Sequence, residues 1–276
     1  MSDWGWSPPE RLAWIEACIE RGVTSFDHAD IYGGYAVEAL FGEALALKPG
    51  LRRQMQLISK CGIKLVHPAR PDHRVHSYDG SRKHIVQSVE NSLRTLRTDH
   101  LDLLLLHRPD ALLDAEEVAE AFAALKLAGK VQSFGVSNYS TAQFDLLNAF
   151  TPLVTNQVEL NPLNLGVLND GTLDQAQRLK LPPMIWSPLA GGRLFSDASE
   201  QARRVRQALQ AAADTRRVSL ATAAYAWLLR HPSRPLPIVG SRRLEALDEA
   251  LAALDWQMDA QTWWAVWQAS TGHDVP

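Results

Sequence analysis

Cysteine is scarce in this chain. Cys18 and Cys61 are the only two, too few for a disulfide framework, so a reducing compartment is the expectation. An excess of one charge is lacking too: the formal net charge is −3, which gives no basic surface of the kind nucleic-acid binding needs. The leucine run 103–106, like every other apolar run here, is far short of a membrane span. The first residues, Met1-Ser2-Asp3-Trp4, carry neither a basic nor an apolar leader, so the expected location is the cytoplasm. No G-x-G-x-x-G occurs, which removes the glycine fingerprint of a doubly wound dinucleotide-binding sheet. What is present is a chain of 276 residues, 46% hydrophobic and 21% charged. That is the composition of a globular protein with a core large enough to need no metal or disulfide.

Short apolar runs alternate with longer amphipathic ones. Strands are expected over 23–26, 55–59, 101–106, 131–136, 153–158, 184–186 and 236–239. Helices are expected over 11–21, 37–47, 82–96, 116–128, 141–149, 171–178, 200–213, 220–229 and 244–254, with Gly129 as a C-terminal cap. Such alternation implies a parallel sheet with right-handed crossovers. With no linker to divide it, the chain reads as one domain over 1–276, a closed (β/α)8 TIM barrel. The count gives seven strands where the barrel needs eight, and nothing before the first helix reads as a strand. We therefore expect the first strand to be missing from this chain, and the natural protein to start upstream of Met1. The long polar connection 63–81, with His67, His73 and His76, is expected as an irregular loop on the active face, its histidines solvated.

In a parallel barrel, polar residues at strand C-terminal ends are the catalytic candidates. Asp27 ends the first expected strand and Tyr32 follows in its loop; Lys60 ends the second, and His107 ends 101–106. A buried lysine is rare, and an ammonium beside a phenol favours loss of the phenolic proton. A carboxylate keeps the lysine charged and oriented, and a histidine can orient a substrate oxygen. Taken singly, Asp27 could be a turn residue, Tyr32 a packed loop aromatic and His107 a structural histidine. Together, in this order, they describe a proton donor for an oxygen that gains negative charge.

The segments Phe26-Asp27-His28-Ala29-Asp30-Ile31-Tyr32-Gly33, Ser59-Lys60 and Leu106-His107-Arg108-Pro109 resemble the Asp-Tyr-Lys-His tetrad of the aldo-keto reductases. Further matches follow in order: Gly135-Val136-Ser137-Asn138-Tyr139, Asn156-Gln157-Val158-Glu159, Trp186-Ser187-Pro188-Leu189 and Pro237-Ile238-Val239-Gly240-Ser241-Arg242. The likeness runs from about residue 12 to about residue 254, and is nearest to bacterial oxidoreductases with a His-Ala-Asp-Ile-Tyr-Gly-Gly-Tyr loop.

The resemblance implies an NADPH-dependent oxidoreductase that reduces aldehyde or ketone carbonyls to alcohols, with Tyr32 as proton donor supported by Lys60, Asp27 and His107. It assigns Ser137, Asn138 and Gln157 to the nicotinamide carboxamide. Trp186 stands where the family usually has Tyr and would stack on the ring. Ser187, Leu189 and the Gly191-Gly192-Arg193 loop would approach the pyrophosphate through backbone amides. Gly240, Ser241 and Arg242 lie on the last-strand segment, where the serine and arginine would take the 2′-phosphate and favour NADPH over NADH. Ala246 and Ala250 depart from the basic residue and asparagine that the family often has there.

The expected partner is a small-molecule carbonyl substrate, with no nucleic acid, no membrane and no metal, in a monomer or weak oligomer. Two rival readings are kept. His28-Ala29-Asp30 is an H-x-D at a strand end, as a metal-dependent barrel hydrolase would have. A non-enzymatic or inactive NADPH-binding relative would keep the fold and site for binding alone.

Overall fold

A computed structural model describes residues 4–275. Met1–Asp3, the start of the stretch read for a leader, lie outside the described residues. The chain forms two compact units, Met1–Asn156 and Gln157–Pro276.

The first unit opens with α1 (Pro8–Glu20). Ser7 and Glu10 close a capping box there, and a proline occupies the first turn, where its missing N–H costs nothing. Then come β1 (Ser25–Asp27), the short turn α2 (Tyr32–Tyr35), α3 (Val37–Leu47), β2 (Gln56–Cys61), β3 (Ile63–Lys64), β4 (Ser77–Tyr78), α4 (Arg82–Leu96), β5 (Leu101–Leu106), α5 (Ala115–Leu127), β6 (Val131–Ser137) and α6 (Thr141–Phe150). Side chains that cap N-termini explain where the helices start: Ser81 for α4, Asp114 for α5 and Ser140, with Gln143, for α6.

β1, β2, β5 and β6 run parallel in that order, with Asp27 opposite Ile58, Lys60 opposite Leu105 and Leu106 opposite Val136. β5, apolar except for Asp102, is the kind of run expected of a strand covered on both faces. At Gly42 in α3, an added Cβ would lie 2.0 Å from the Thr95 carbonyl oxygen, so only glycine lets α3 and α4 pack this closely.

The second unit holds β7 (Asn156–Glu159, whose first residue closes the first unit), α7 (Gly166–Asn169), α8 (Thr172–Leu179), β8 (Met184–Trp186), α9 (Arg193–Ser196), α10 (Glu200–Arg216), α11 (Leu220–Leu229), β9 (Leu236–Pro237), α12 (Leu244–Ala252) and α13 (Ala260–Thr271). β7, β8 and β9 are parallel in that order. Its core centres on α11, buried from Ala221 to Leu228. Trp227 stacks on Trp263 at 5.2 Å, each indole N–H donating to the other residue's carbonyl. Trp263 thus packs into this core, whereas Trp264 beside it is exposed.

Three expectations are corrected. The second strand runs through Lys60 to Cys61 rather than stopping at Ser59, because Lys60 and Cys61 pair with β5. Residues 153–155 are not strand; β7 starts at Asn156. The connection 63–81 is not irregular throughout, because β3 and β4 pair as a short antiparallel hairpin.

Candidate active site

Four residues singled out in the sequence meet in the first unit. Asp27 is the last residue of β1, Lys60 lies inside β2, His107 follows β5, and Tyr32 opens the turn after β1. The register Asp27–Ile58 and Lys60–Leu105 carries these side chains to the C-terminal ends of adjacent strands.

Lys60 is completely buried. Its ammonium donates to Asp27 Oδ2 at 2.6 Å, to the His28 carbonyl at 2.9 Å and to Tyr32 Oη at 3.1 Å. An ammonium has three donors, and here all three are used. The carboxylate balances the charge, as a buried lysine requires. Because Tyr32 Oη accepts from Lys60, its own O–H is directed elsewhere. The Tyr32 and His107 rings meet edge-on, with centroids 5.8 Å apart.

Burial first, then the charges of Lys60 and Arg108, pull the His107 imidazole down to a pKa of about 3. At neutral pH it is therefore uncharged, able to hydrogen-bond an oxygen but holding no spare proton. Its Nδ1 is buried without a hydrogen-bond partner. Among the four, that leaves the Tyr32 hydroxyl as the acid that can act with Lys60 beside it.

A second set of polar groups, which sequence reasoning missed, lies behind these four. Glu38 in α3 is buried; its carboxylate accepts from Ser59 Oγ at 2.6 Å and from Thr95 Oγ1 at 3.1 Å, and burial raises its pKa. Burial first, then the nearby Glu38, pushes the Asp30 carboxyl up to about 8. Asp30 is half-buried as a residue, but its Oδ1 is enclosed and without a hydrogen-bond partner. Burial, then Lys60, brings His28 down to about 3, and its ring packs edge-on against Phe41 at 4.5 Å. The signal available in the sequence was a glutamate among the apolar residues of 37–47. Among the described residues, no group of three or more His, Cys, Asp or Glu side chains is placed to hold a metal ion, so His28-Ala29-Asp30 does not gain the partners that the hydrolase reading needs.

Of the expected cofactor residues, Ser137 ends β6 and is buried, and Asn138 beside it adopts a left-handed backbone (φ 60°), with its Nδ2 donating to Ser137 Oγ at 2.8 Å. The others lie in the second unit. Gln157 is buried in β7 with its amide nitrogen 3.8 Å from Met184 Sδ. Trp186 ends β8, half-buried. The loop that follows has left-handed backbone at Ser187, Ala190, Gly191 and Gly192 (φ 49°, 54°, 63° and 89°). Asn161 Nδ2 donates to the Ser187 carbonyl at 3.1 Å and Arg193 Nε to the Ala190 carbonyl at 3.3 Å, while Leu189 lies between. Within this loop the Ala190 N–H donates to the Ser187 carbonyl at 2.8 Å and the Gly192 N–H to the Leu189 carbonyl at 3.0 Å. Nothing lies within 4 Å of where a Cβ would stand on Gly191, Gly192 or Gly240, so the backbone there is open to a ligand. Gly240 and Arg242 are exposed, and Ser241 Oγ accepts from the Arg243 N–H at 3.1 Å. β8 and β9 are paired neighbours, so these two loops leave adjacent strands.

Residues 2–270 match the model of the aldo/keto reductase family. The chain belongs to that family. Over its whole length it is 50% identical to the oxidoreductase YcsN of Bacillus subtilis, covering 93% of that protein. It is 44% identical to a 6-dehydroglucose reductase of Agrobacterium fabrum, over 98% of this chain and 90% of that one. An aldo/keto reductase from Klebsiella pneumoniae, solved with NADP and acetate, superposes over all of this chain and 89% of its own, with a TM-score of 0.78 at 28% identity. Membership gives the chain an α/β (β/α)8 barrel of the aldo-keto reductase type and places it among the oxidoreductases. The described residues supply seven strands of parallel sheet.

Proposed function

We propose that this family member is an NADPH-dependent carbonyl reductase in which Tyr32 gives its proton to the substrate oxygen. The observation that carries the reading is the fully buried Lys60, bonded at once to Asp27 and to Tyr32 Oη. A lysine held charged against a phenol oxygen stabilises the negative charge left when that phenol loses its proton. Bound NADPH would supply the hydride that reduces the carbonyl carbon. Tyr32 hands its proton to the oxygen as charge builds there, neutral His107 hydrogen-bonds the same oxygen, and Asp27 keeps Lys60 charged throughout. The tyrosine then regains its proton from solvent. Such general acid catalysis is worth roughly 10²–10⁴-fold.

The cofactor residues are proposed in the same roles as before. Ser137, Asn138 and Gln157 would bond the carboxamide, and Trp186 would stack on the nicotinamide. The loop residues Ser187, Leu189, Gly191, Gly192 and Arg193 would take the pyrophosphate, and Gly240, Ser241 and Arg242 the adenosine phosphate. The open backbone at Gly191, Gly192 and Gly240 supports this assignment. So does the NADP held by the Klebsiella pneumoniae relative. For the substrate, the Agrobacterium fabrum relative makes an oxidised sugar the first carbonyl to try.

The test is a titration with NADPH and, separately, with NADH, read by quenching of tryptophan fluorescence. Saturable binding at least about tenfold tighter for NADPH is expected, a gap of about 1.4 kcal/mol that one charge-assisted phosphate contact can supply. No saturable quenching by a folded chain, or equal affinity for both, would overturn the cofactor assignment.

A further inference from the structure

The turn that carries Tyr32 is unusual. Gly33 (φ 58°, ψ 36°), Gly34 (φ 63°, ψ 44°) and Tyr35 (φ 71°) are left-handed in succession. Single left-handed residues are common, but runs are not, and an aromatic residue there is a true outlier. Glycine accounts for the first two positions. At Gly34 an added Cβ would also stand 2.5 Å from His67 Nε2, so the connection 63–81 sits directly on the turn. Tyr35 has no such freedom and must be held by what surrounds it.

It is held from several sides. Its hydroxyl accepts the Leu65 N–H at 2.9 Å. The Arg70 guanidinium lies over its ring, 4.5 Å from the centroid. His67 and His73 flank the ring at 5.8 and 6.5 Å. His73 Nδ1 in turn bonds the Leu65 carbonyl at 2.9 Å, and the hairpin of β3 and β4, with the Lys64–Asp79 ion pair at 3.1 Å, closes the strap. The same turn is tied to Tyr32 by backbone bonds, Tyr35 N–H to the Ile31 carbonyl at 3.3 Å and Ala36 N–H to the Tyr32 carbonyl at 3.2 Å.

We propose that Tyr35 is a positioning residue: clamped by the strap 65–73, it keeps the left-handed turn closed and so holds Tyr32 Oη on Lys60 Nζ. The inference rests on Tyr32 being the proton donor. A tyrosine that merely filled space would need no left-handed backbone and no acceptor role toward Leu65.

Three variants grade the clamp. Tyr35→Phe removes the hydroxyl, Arg70→Ala removes the stacked cation, and Tyr35→Gly removes the clamp while keeping a left-handed backbone easy. For Tyr35→Gly, kcat for carbonyl reduction should fall about tenfold to a hundredfold, as expected for a reacting group displaced by about 1 Å, with NADPH affinity within about twofold of the parent. Backbone amide exchange over residues 30–37 should speed up about tenfold while β5 and β6 stay unchanged, since the opening is local. Tyr35→Phe and Arg70→Ala should fall in between. Faster exchange with unchanged kcat would make the clamp merely structural and overturn the proposal, as would exchange and kcat both unchanged. A parent enzyme that reduces no carbonyl would defeat the proton-donor reading itself; exchange at the turn would still show whether the clamp holds it.

Discussion

Both units bury neutral polar groups, but among the described residues the buried acidic, basic and imidazole side chains all lie in the first. In the first, the buried set includes Arg11, His28, Glu38, Lys60 and His107, all ionisable. In the second, among the described residues, it consists of Gln157, Asn161, Thr172, Gln175, Thr222, Ser233 and Ser270, all neutral. Burying charge is costly unless it is paired, so a fold does so where chemistry gains from it. The first unit has that arrangement, with Lys60 on Asp27 and Tyr32. The second offers open backbone and neutral side chains instead, which suit holding a ligand. The contrast is one of charge: the first unit keeps a paired ionic site around Lys60, while the second, among the described residues, keeps its buried polar groups neutral.

The largest effect expected from breaking this contrast is on stability. Lys60→Met leaves the Asp27 carboxylate, whose side chain is only 10% exposed, without its counter-charge. It should cost about 3–5 kcal/mol. Gln157→Met, at a buried neutral position, should cost only about 1 kcal/mol. Urea midpoints of the two variants give the comparison, and equal costs would erase it.

Next comes pH. The folded Asp30 carboxyl, raised from 3.8 to about 8, keeps a proton that the unfolded chain gives up in between. Its contribution is therefore full below about pH 4 and is lost as pH rises through about 8, at up to about 1.4 kcal/mol per pH unit. His28 and His107, lowered from 6.5 to about 3, run the other way: their contributions are full above 6.5 and lost as pH falls toward 3. Asp30→Asn should therefore gain stability on the parent between about pH 5 and about pH 8. A constant difference over that range, measured by denaturant midpoints, would show that Asp30 carries no such proton.

The smallest effect sharpens the second unit's role. Arg242→Ala should weaken NADPH binding about tenfold, leave NADH binding alone, and leave kcat at saturating cofactor unchanged, because a phosphate contact remote from the reacting atoms contributes uniform binding. Fluorescence titration and initial rates check it. A fall in kcat at saturation would place Arg242 in the chemistry.

Much of this was legible in the sequence. The runs at 37–47, 82–96, 101–106, 184–186 and 220–229 gave their elements to the residue, because the apolar pattern marks each of them, and Ser81 and Ser219 also cap 82–96 and 220–229. The four catalytic candidates could be read as one group because each sits at or near the end of a strand. Other features were hidden because they depend on contacts distant in sequence. The extension of β2 through Lys60 needs β5 beside it. The hairpin within 63–81 needs the pairing of Ile63 with Tyr78. Burial of Glu38 and Asp30 follows from where α3 and α4 pack, which no local pattern specifies. The left-handed backbone of Tyr35 breaks the local rule for an aromatic residue, and such breaks concentrate at functional sites.

The most direct test of the central claim compares Tyr32→Phe with the parent in NADPH consumption on an oxidised sugar or simple aldehyde, with cofactor binding measured in parallel. The parent should consume NADPH, and the variant should bind it equally well but turn over roughly a hundredfold slower or worse. A variant as fast as its parent would contradict the central claim, because the proton would then come from some other group.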